Sequence, residues 1–222
     1  MAPRFHRLFG LFSALSALVA CAPTAPPRAA PGAPATASSS TGFLEGNVGR
    51  VRSHALDFPI EFSLPDKANW HIAEGPSWLV AEQQSSSSQL ALRTWRAERL
   101  VRRDECEAQA RLVRSSIPIV HEDAIVERRA LPAPADFDNE LLVGVEPNAL
   151  GITGYALVFG ASVGRCYAAI FTTSVIGKDA EVAVAARLGL VVDRILSQVR
   201  LRNVDERAPR RHLVVTPKPA TN

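Results

Sequence analysis

Three short stretches bring together residue types that could do chemistry. Gly160-Ala161-Ser162-Val163-Gly164 fits G-x-S-x-G, a pattern in which a serine on a sharp strand-to-helix turn becomes a nucleophile served by a histidine elsewhere in the chain. That geometry needs a helix after the serine, and residues 166–173, Cys-Tyr-Ala-Ala-Ile-Phe-Thr-Thr, read as a strand. The histidine that follows Ser162 is His212, near the end of the chain. A hairpin turn at Ser162 is therefore the expectation, and a serine-dependent envelope esterase or hydrolase using Ser162 is the alternative. The second stretch, His121-Glu122-Asp123, is a compact polar trio, but three consecutive side chains on a strand or loop cannot all point at one ion. His6, His54, His71, His121 and His212 are scattered, and there is no H-E-x-x-H, no C-x-x-C and no glycine-rich loop ending in lysine. No catalytic, metal or cofactor residue is expected. The third stretch is LFGLFSALSALVACAPTAPP, Leu8 to Pro27, whose character changes at Cys21.

The apolar run before Cys21 is too short to stay in a bilayer. A span needs about 20 apolar residues to cross about 30 Å of hydrocarbon, whereas Leu8 to Ala20 offers about 13. Arg4 and Arg7 precede it and small residues follow, the layout of a secretory signal. Arg4 and Arg7 are not adjacent, which argues against a twin-arginine route. Its last four positions, Leu18-Val19-Ala20-Cys21, resemble the lipobox of bacterial lipoproteins, a resemblance that covers only the leader. It implies that residues 1–20 are a signal peptide and that Cys21 is lipidated, with palmitate-type acyl chains, and becomes the new N-terminus. The motif has a physical logic: small residues admit the backbone to a peptidase cleft, and a thiol can take up a diacylglyceryl group. Two or three acyl chains anchor firmly where one is marginal. Ala22 in place of an aspartate implies, within that family, sorting to the outer membrane, with the periplasmic or surface face left open. An ordinary secretory signal with an incidental Cys21 is the alternative.

Residues 21–42 are almost all Ala, Pro, Ser and Thr and cannot build a core. At about 3.1 Å per residue such a tether holds a domain up to roughly 60 Å from its anchor. Residues 202–222 carry three prolines and no sustained period, and are expected to be a tail without fixed structure. Between them, residues 43–201 have the size of one domain. The formal charge of +3 falls to about +1 without Arg4 and Arg7, a weak pull on any anionic partner.

Within the domain the apolar period changes twice. Leu56, Phe58, Ile60, Phe62 and Leu64 alternate up to Pro65, a half-buried strand. "SWLVAEQQ" and "QLALRTW" are two further strands joined through Ser85 to Ser88. Residues 96–114 contain no Gly or Pro and predict a helix. "AIVERRAL", "ELLVGVEP", "GITGYALVFGA" and "GRCYAAIFTTSV" predict four strands, the last two forming a hairpin over "SVG". In "DAEVAVAARLGLVVDRILSQVRL", Val182, Ala185, Gly189, Val192, Leu196 and Val199 recur at three and four residues, which predicts a helix face packed on something flat. The sum is an α+β domain with a mostly antiparallel sheet covered by two helices. This order, with "LPDKANW" closing an early strand, resembles the PsbP and Mog1 group of α/β/α sandwiches, and a cystatin-like or other α+β layout fits it too. The resemblance implies a non-enzymatic accessory or binding module.

The arginines of the first helix alternate with acids, and Glu98 to Arg102 and Glu107 to Arg111 stand in the favourable i to i+4 order, so a solvated, ion-paired face is expected. Trp70, Trp78 and Trp95 sit near strand ends and are expected in the core, with a glycan- or protein-contact platform as the alternative. With Cys21 assigned to lipid, Cys106 and Cys166 remain in a compartment that favours oxidation, and a disulfide between them is expected. The chain reads as a membrane-anchored, non-catalytic binding or accessory module of the cell envelope, held by its N-terminal lipid. Its partner would be an envelope protein or glycan and not nucleic acid, since a lipobox places the domain outside the cytoplasm.

Overall fold

The computed structural model describes residues 48–202. The signal peptide, Cys21, the tether and residues 203–222 of the tail lie outside the described residues. Among those described, ten strands and two α-helices follow one another as β1 (Gly49–Ser53), β2 (Ile60–Leu64), β3 (His71–Glu74), β4 (Leu79–Gln83), β5 (Ser88–Arg96), α1 (Arg103–Val113), β6 (Ile125–Ala130), β7 (Asp138–Pro147), β8 (Gly151–Ser162), β9 (Arg165–Ile176), α2 (Ala180–Arg194) and β10 (Arg200–Leu201). Strands β3 to β9 form a seven-stranded sheet in the order β3-β4-β5-β9-β8-β7-β6, antiparallel throughout. A three-stranded sheet, β1-β2-β10, carries both ends of the described chain.

The centre of the large sheet is the β8–β9 hairpin. Along it Ala156, Val158, Tyr167, Ala169 and Phe171 enter one apolar cluster with Val184, Leu188 and Val191 of α2. The intervening Leu157, Phe159, Ala161, Cys166, Ala168 and Ile170 enter another with Cys106 and Ala110 of α1. Each helix thus covers one face, and the architecture is α+β in three layers, helix on sheet on helix. Because both faces are buried, these strands read as nearly continuous apolar runs and not as an alternation. The disulfide between Cys106 and Cys166, with Cα atoms 5.5 Å apart, fastens α1 to β9 as the cysteine count predicts. On the opposite face Gly154 permits close approach of α2: a Cβ there would lie 2.5 Å from Val184 Cγ1 and 2.9 Å from Leu188 Cδ1. The open edges are guarded. β3 has only four residues, and β6 exposes Glu127, Arg128 and Arg129 beside a register shift, features that discourage pairing with another chain.

Four expectations are corrected. The helix predicted over 96–114 begins at Arg103. Residues up to Arg96 stay in β5, where Trp95 pairs with Cys166 and Arg96 with Arg165, and the helix start is set by Glu105, whose carboxylate accepts the Arg102 backbone N–H at 2.9 Å. Consequently Glu98 lies outside the helix, and Arg102 pairs with Asp104 instead; the Glu107–Arg111 pair forms as expected. The early alternation is only half strand. Leu56 and Phe58 are buried, but Pro59 has no N–H to give a ladder, and both the N–H and the C=O of Phe58 meet the Thr94 hydroxyl. Of the predicted face, Val192, Leu196 and Val199 are buried but Val182, Ala185 and Gly189 are exposed; the buried face of α2 is Ala180, Ala183, Val184, Arg187, Leu188, Val191 and Val192. Two apolar frames at helical spacing coexist in this segment, and the true one contains an arginine. Buried Arg187 donates to the Ser86 carbonyl at 2.6 Å and the Thr173 hydroxyl at 3.1 Å, which ties α2 to the β4–β5 connection and β9. Strands β1, β3 and β10, too short or too polar for a clear period, are additional.

Two changes test this packing. Removing the disulfide with Cys106→Ala and Cys166→Ala reopens a loop of 60 residues and is expected to lower unfolding free energy by up to about 4 kcal/mol, read by denaturant titration with and without reductant. An unchanged midpoint would contradict the clamp. Gly154→Ala is expected to cost about 1–3 kcal/mol by overpacking, as a lower melting temperature. A neutral result would mean that α2 does not sit this close to β8.

Candidate binding surface

Arginines and one carboxylate share the outer face of β1-β2-β10. In register, Arg52 and Arg200 both oppose Glu61 and Arg50 opposes Ser63, so period-2 alternation puts these side chains on one face while Val51, Ile60, Phe62 and Leu64 face the core. Glu61 binds Arg50 at 3.1 Å, Arg52 at 3.0 Å and Arg202 at 3.4 Å. Its side chain is 9% exposed, against 65%, 56% and 52% for those three arginines: the negative charge is enclosed and the positive charges face water. Burial alone would raise the Glu61 carboxyl, but Arg52, by charge and hydrogen bond, with Arg50 and Arg202, outweighs it and holds Glu61 below its ordinary value.

A groove of about 620 Å³ takes in part of this face, with Arg50, Glu61, Arg200 and Arg202 among its lining together with Arg165, Asp136 and the loop from Pro132. The loop is shaped by Asn139, whose side chain accepts the Leu131 N–H and donates to the Pro134 and Phe137 carbonyls. A second groove, about 660 Å³ and mostly apolar, lies between β6–β7 and α2, bordered by Val126, Val143, Val145, Ala185, Leu188 and Val192. Ala185 and Gly189, two exposed residues of α2 that the sequence assigns to the core, line this groove.

The residues singled out in the sequence are not brought together. Ser162 ends β8, Gly164 turns the chain at φ +64°, and strand β9 follows at Arg165, so the turn is that of a hairpin and not of a strand entering a helix. The Ser162 hydroxyl accepts a hydrogen bond from Arg165 at 3.1 Å, and the Arg165 guanidinium lies over the Phe58 and Phe137 rings; His212 lies outside the described residues. Glu122 and Asp123 form a short 3₁₀ turn after His121, Glu122 pairs with Arg128, and no group of three potential metal ligands occurs among the described residues. The three tryptophans are buried: Trp70 donates to the Pro65 carbonyl and Trp95 to Gln109, while Arg93 lies over Trp78 and Trp95. The α1 face is ion-paired, Arg99 with Glu105, Arg103 with Asp138 and Glu140, Arg111 with Glu107. What sequence reasoning missed is the basic face. Its signal is the R-x-R spacing at both ends of the domain, Arg50-Val51-Arg52 and Arg200-Leu201-Arg202.

No family model matches the chain, and no curated protein matches it. Among solved structures it is similar to a crystal structure of a protein from Bacteroides thetaiotaomicron VPI-5482, with a TM-score of 0.40 and 9% identity over 66% of this chain and 46% of that one. The matched region is less than half of that protein's length.

The charge arrangement makes a pH prediction. A carboxyl held below its ordinary value in the folded state contributes stability that is complete above the unfolded value of about 4.3 and is lost as pH falls through the lowered folded value. Stability of the unaltered protein is expected to fall between about pH 5 and about pH 2 more steeply than that of Glu61→Gln, measured by urea unfolding. Parallel pH profiles would contradict it.

Proposed function

We propose that this chain is a lipid-anchored module of the bacterial cell envelope, attached through Cys21 at the outer membrane, and that it binds or positions another envelope component without catalysing a reaction. Support for the anchor comes from Leu18-Val19-Ala20-Cys21 and the Pro- and Ala-rich tether behind it. The observation that carries the binding role is the basic face of β1-β2-β10: exposed guanidinium groups surround an enclosed carboxylate, and β1 is the first of the described strands. Such a face presents many N–H donors, since each guanidinium has five. The sequence points to an envelope protein or glycan as the partner class, and the surplus of arginine on this face requires that whatever it binds be anionic. The test is replacement of Cys21 by serine in a bacterial host followed by cell fractionation. The expected product is an uncleaved or mislocalised precursor; recovery of a normally cleaved, soluble chain would contradict the lipoprotein assignment.

A further inference from the structure

We propose that the outer face of β1-β2-β10 docks on anionic lipid headgroups, so that the domain lies on the membrane to which its tether leads. The inference rests on the anchored reading above only for the identity of that membrane; the docking chemistry is a property of the face itself.

Four arginines share the face. Arg50, Arg52 and Arg202 contact Glu61, and Arg200 is aligned with Glu61 across the ladder and exposed. One carboxylate against four guanidinium groups leaves a surplus of three positive charges within one small sheet. Glu61 is nearly enclosed while its partners are half exposed or more, so an approaching phosphate meets N–H donors first. Asp136 is a further acid lining the groove beside this face. The contrast with α1 is informative, because there Arg99, Arg102, Arg103 and Arg111 each meet a carboxylate of their own, and the signs cancel.

Position selects a bilayer as the occupant. The chain enters the described structure at Val48, directly ahead of Arg50, and leaves it at Arg202 on the same sheet. The arginines of this face thus stand beside both ends of the described chain. Each basic residue near an anionic surface strengthens partitioning by about fivefold, and guanidinium groups gathered on one face suit the bidentate recognition of phosphate. A lipid anchor and a basic patch then act as two attachment signals.

The experiment uses the chain from Ala22 to Asn222, which keeps every described residue and carries no lipid, in co-sedimentation with vesicles of phosphatidylcholine alone or with about 30% phosphatidylglycerol. Binding to the anionic vesicles is expected to be at least about tenfold tighter and to weaken about tenfold between about 0.1 M and about 0.5 M salt. Arg50→Gln with Arg200→Gln is expected to cost about 25-fold, whereas Arg50→Lys with Arg200→Lys retains binding. Circular dichroism checks that each pair folds, and if the glutamine pair does not, the salt and lysine arms decide. Equal binding to both vesicle types, no salt dependence, or no loss in a folded glutamine pair would each overturn the docking. Two further results would overturn the lipid assignment: competition by inorganic phosphate beyond a chloride control of equal ionic strength points to a free anion, and binding of a polyglutamate peptide without vesicle binding points to an acidic protein. Because this chain is unacylated, such failures bear on the docking alone, while a soluble, cleaved Cys21→Ser product bears on the anchor alone.

Discussion

Burial of both faces of the β8–β9 hairpin is the constraint on which the rest of the domain depends. A sheet whose central strands are apolar on both sides must be covered on both sides, and one helix alone would leave either the Tyr167–Phe171 row or the Cys166–Ile170 row in water. The two helices meet this need differently. On one side α1 is short and polar, with only Cys106 and Ala110 buried, so little apolar area holds it, and the disulfide to Cys166 supplies the attachment that hydrophobic contact alone does not. On the other side α2 buries seven residues and settles close enough to β8 that only glycine fits at position 154. The tight packing has one irregularity. The Tyr167 hydroxyl is buried without a hydrogen-bond partner among the described residues, and burial drives its pKa far upward, so it stays neutral.

How much of this was legible follows from which elements pack on two faces. β8 and β9 were plain in the sequence because continuous apolar runs bounded by Gly and Pro have few other uses. The cysteine pairing was legible from chemistry once Cys21 was set aside for lipid. The buried face of α2 was not: the segment is apolar nearly all round, and the frame with the smoothest spacing, Val182, Ala185 and Gly189, points outward because Arg187 is buried between Ser86 and Thr173, a tertiary fact with no local signal. The start of α1 was missed for a related reason. Arg96 belongs to a strand by virtue of its partner Arg165 on β9, and nothing in the local composition separates it from the helix formers that follow.

The basic face was hidden by arithmetic at the level of the whole chain. A net charge of +3, about +1 without Arg4 and Arg7, implies only a weak pull on an anionic partner, yet charge is distributed unevenly: acids are concentrated against the arginines of α1, and the β1-β2-β10 face retains a surplus. Its residues come from opposite ends of the domain, and only the pairing of β2 with both β1 and β10 brings Arg50, Arg52, Arg200 and Arg202 around Glu61. Ser162 shows the reverse case, a motif conspicuous in sequence whose residues take up turn geometry and a hydrogen bond to Arg165.

The central claim joins anchor and face: the domain is held at a membrane with β1-β2-β10 toward it. Hydrogen exchange read by mass spectrometry on the acylated protein, in detergent and then in bilayers containing anionic lipid, tests this most directly, because β1 and β10 are the unpaired edges of their sheet and their outward amides exchange freely unless covered. The account predicts added protection in residues 49–53 and 200–202, with none on the exposed flank of α2 around Val182. Protection confined to the β6–α2 groove, or no change on any strand of the small sheet, would contradict it.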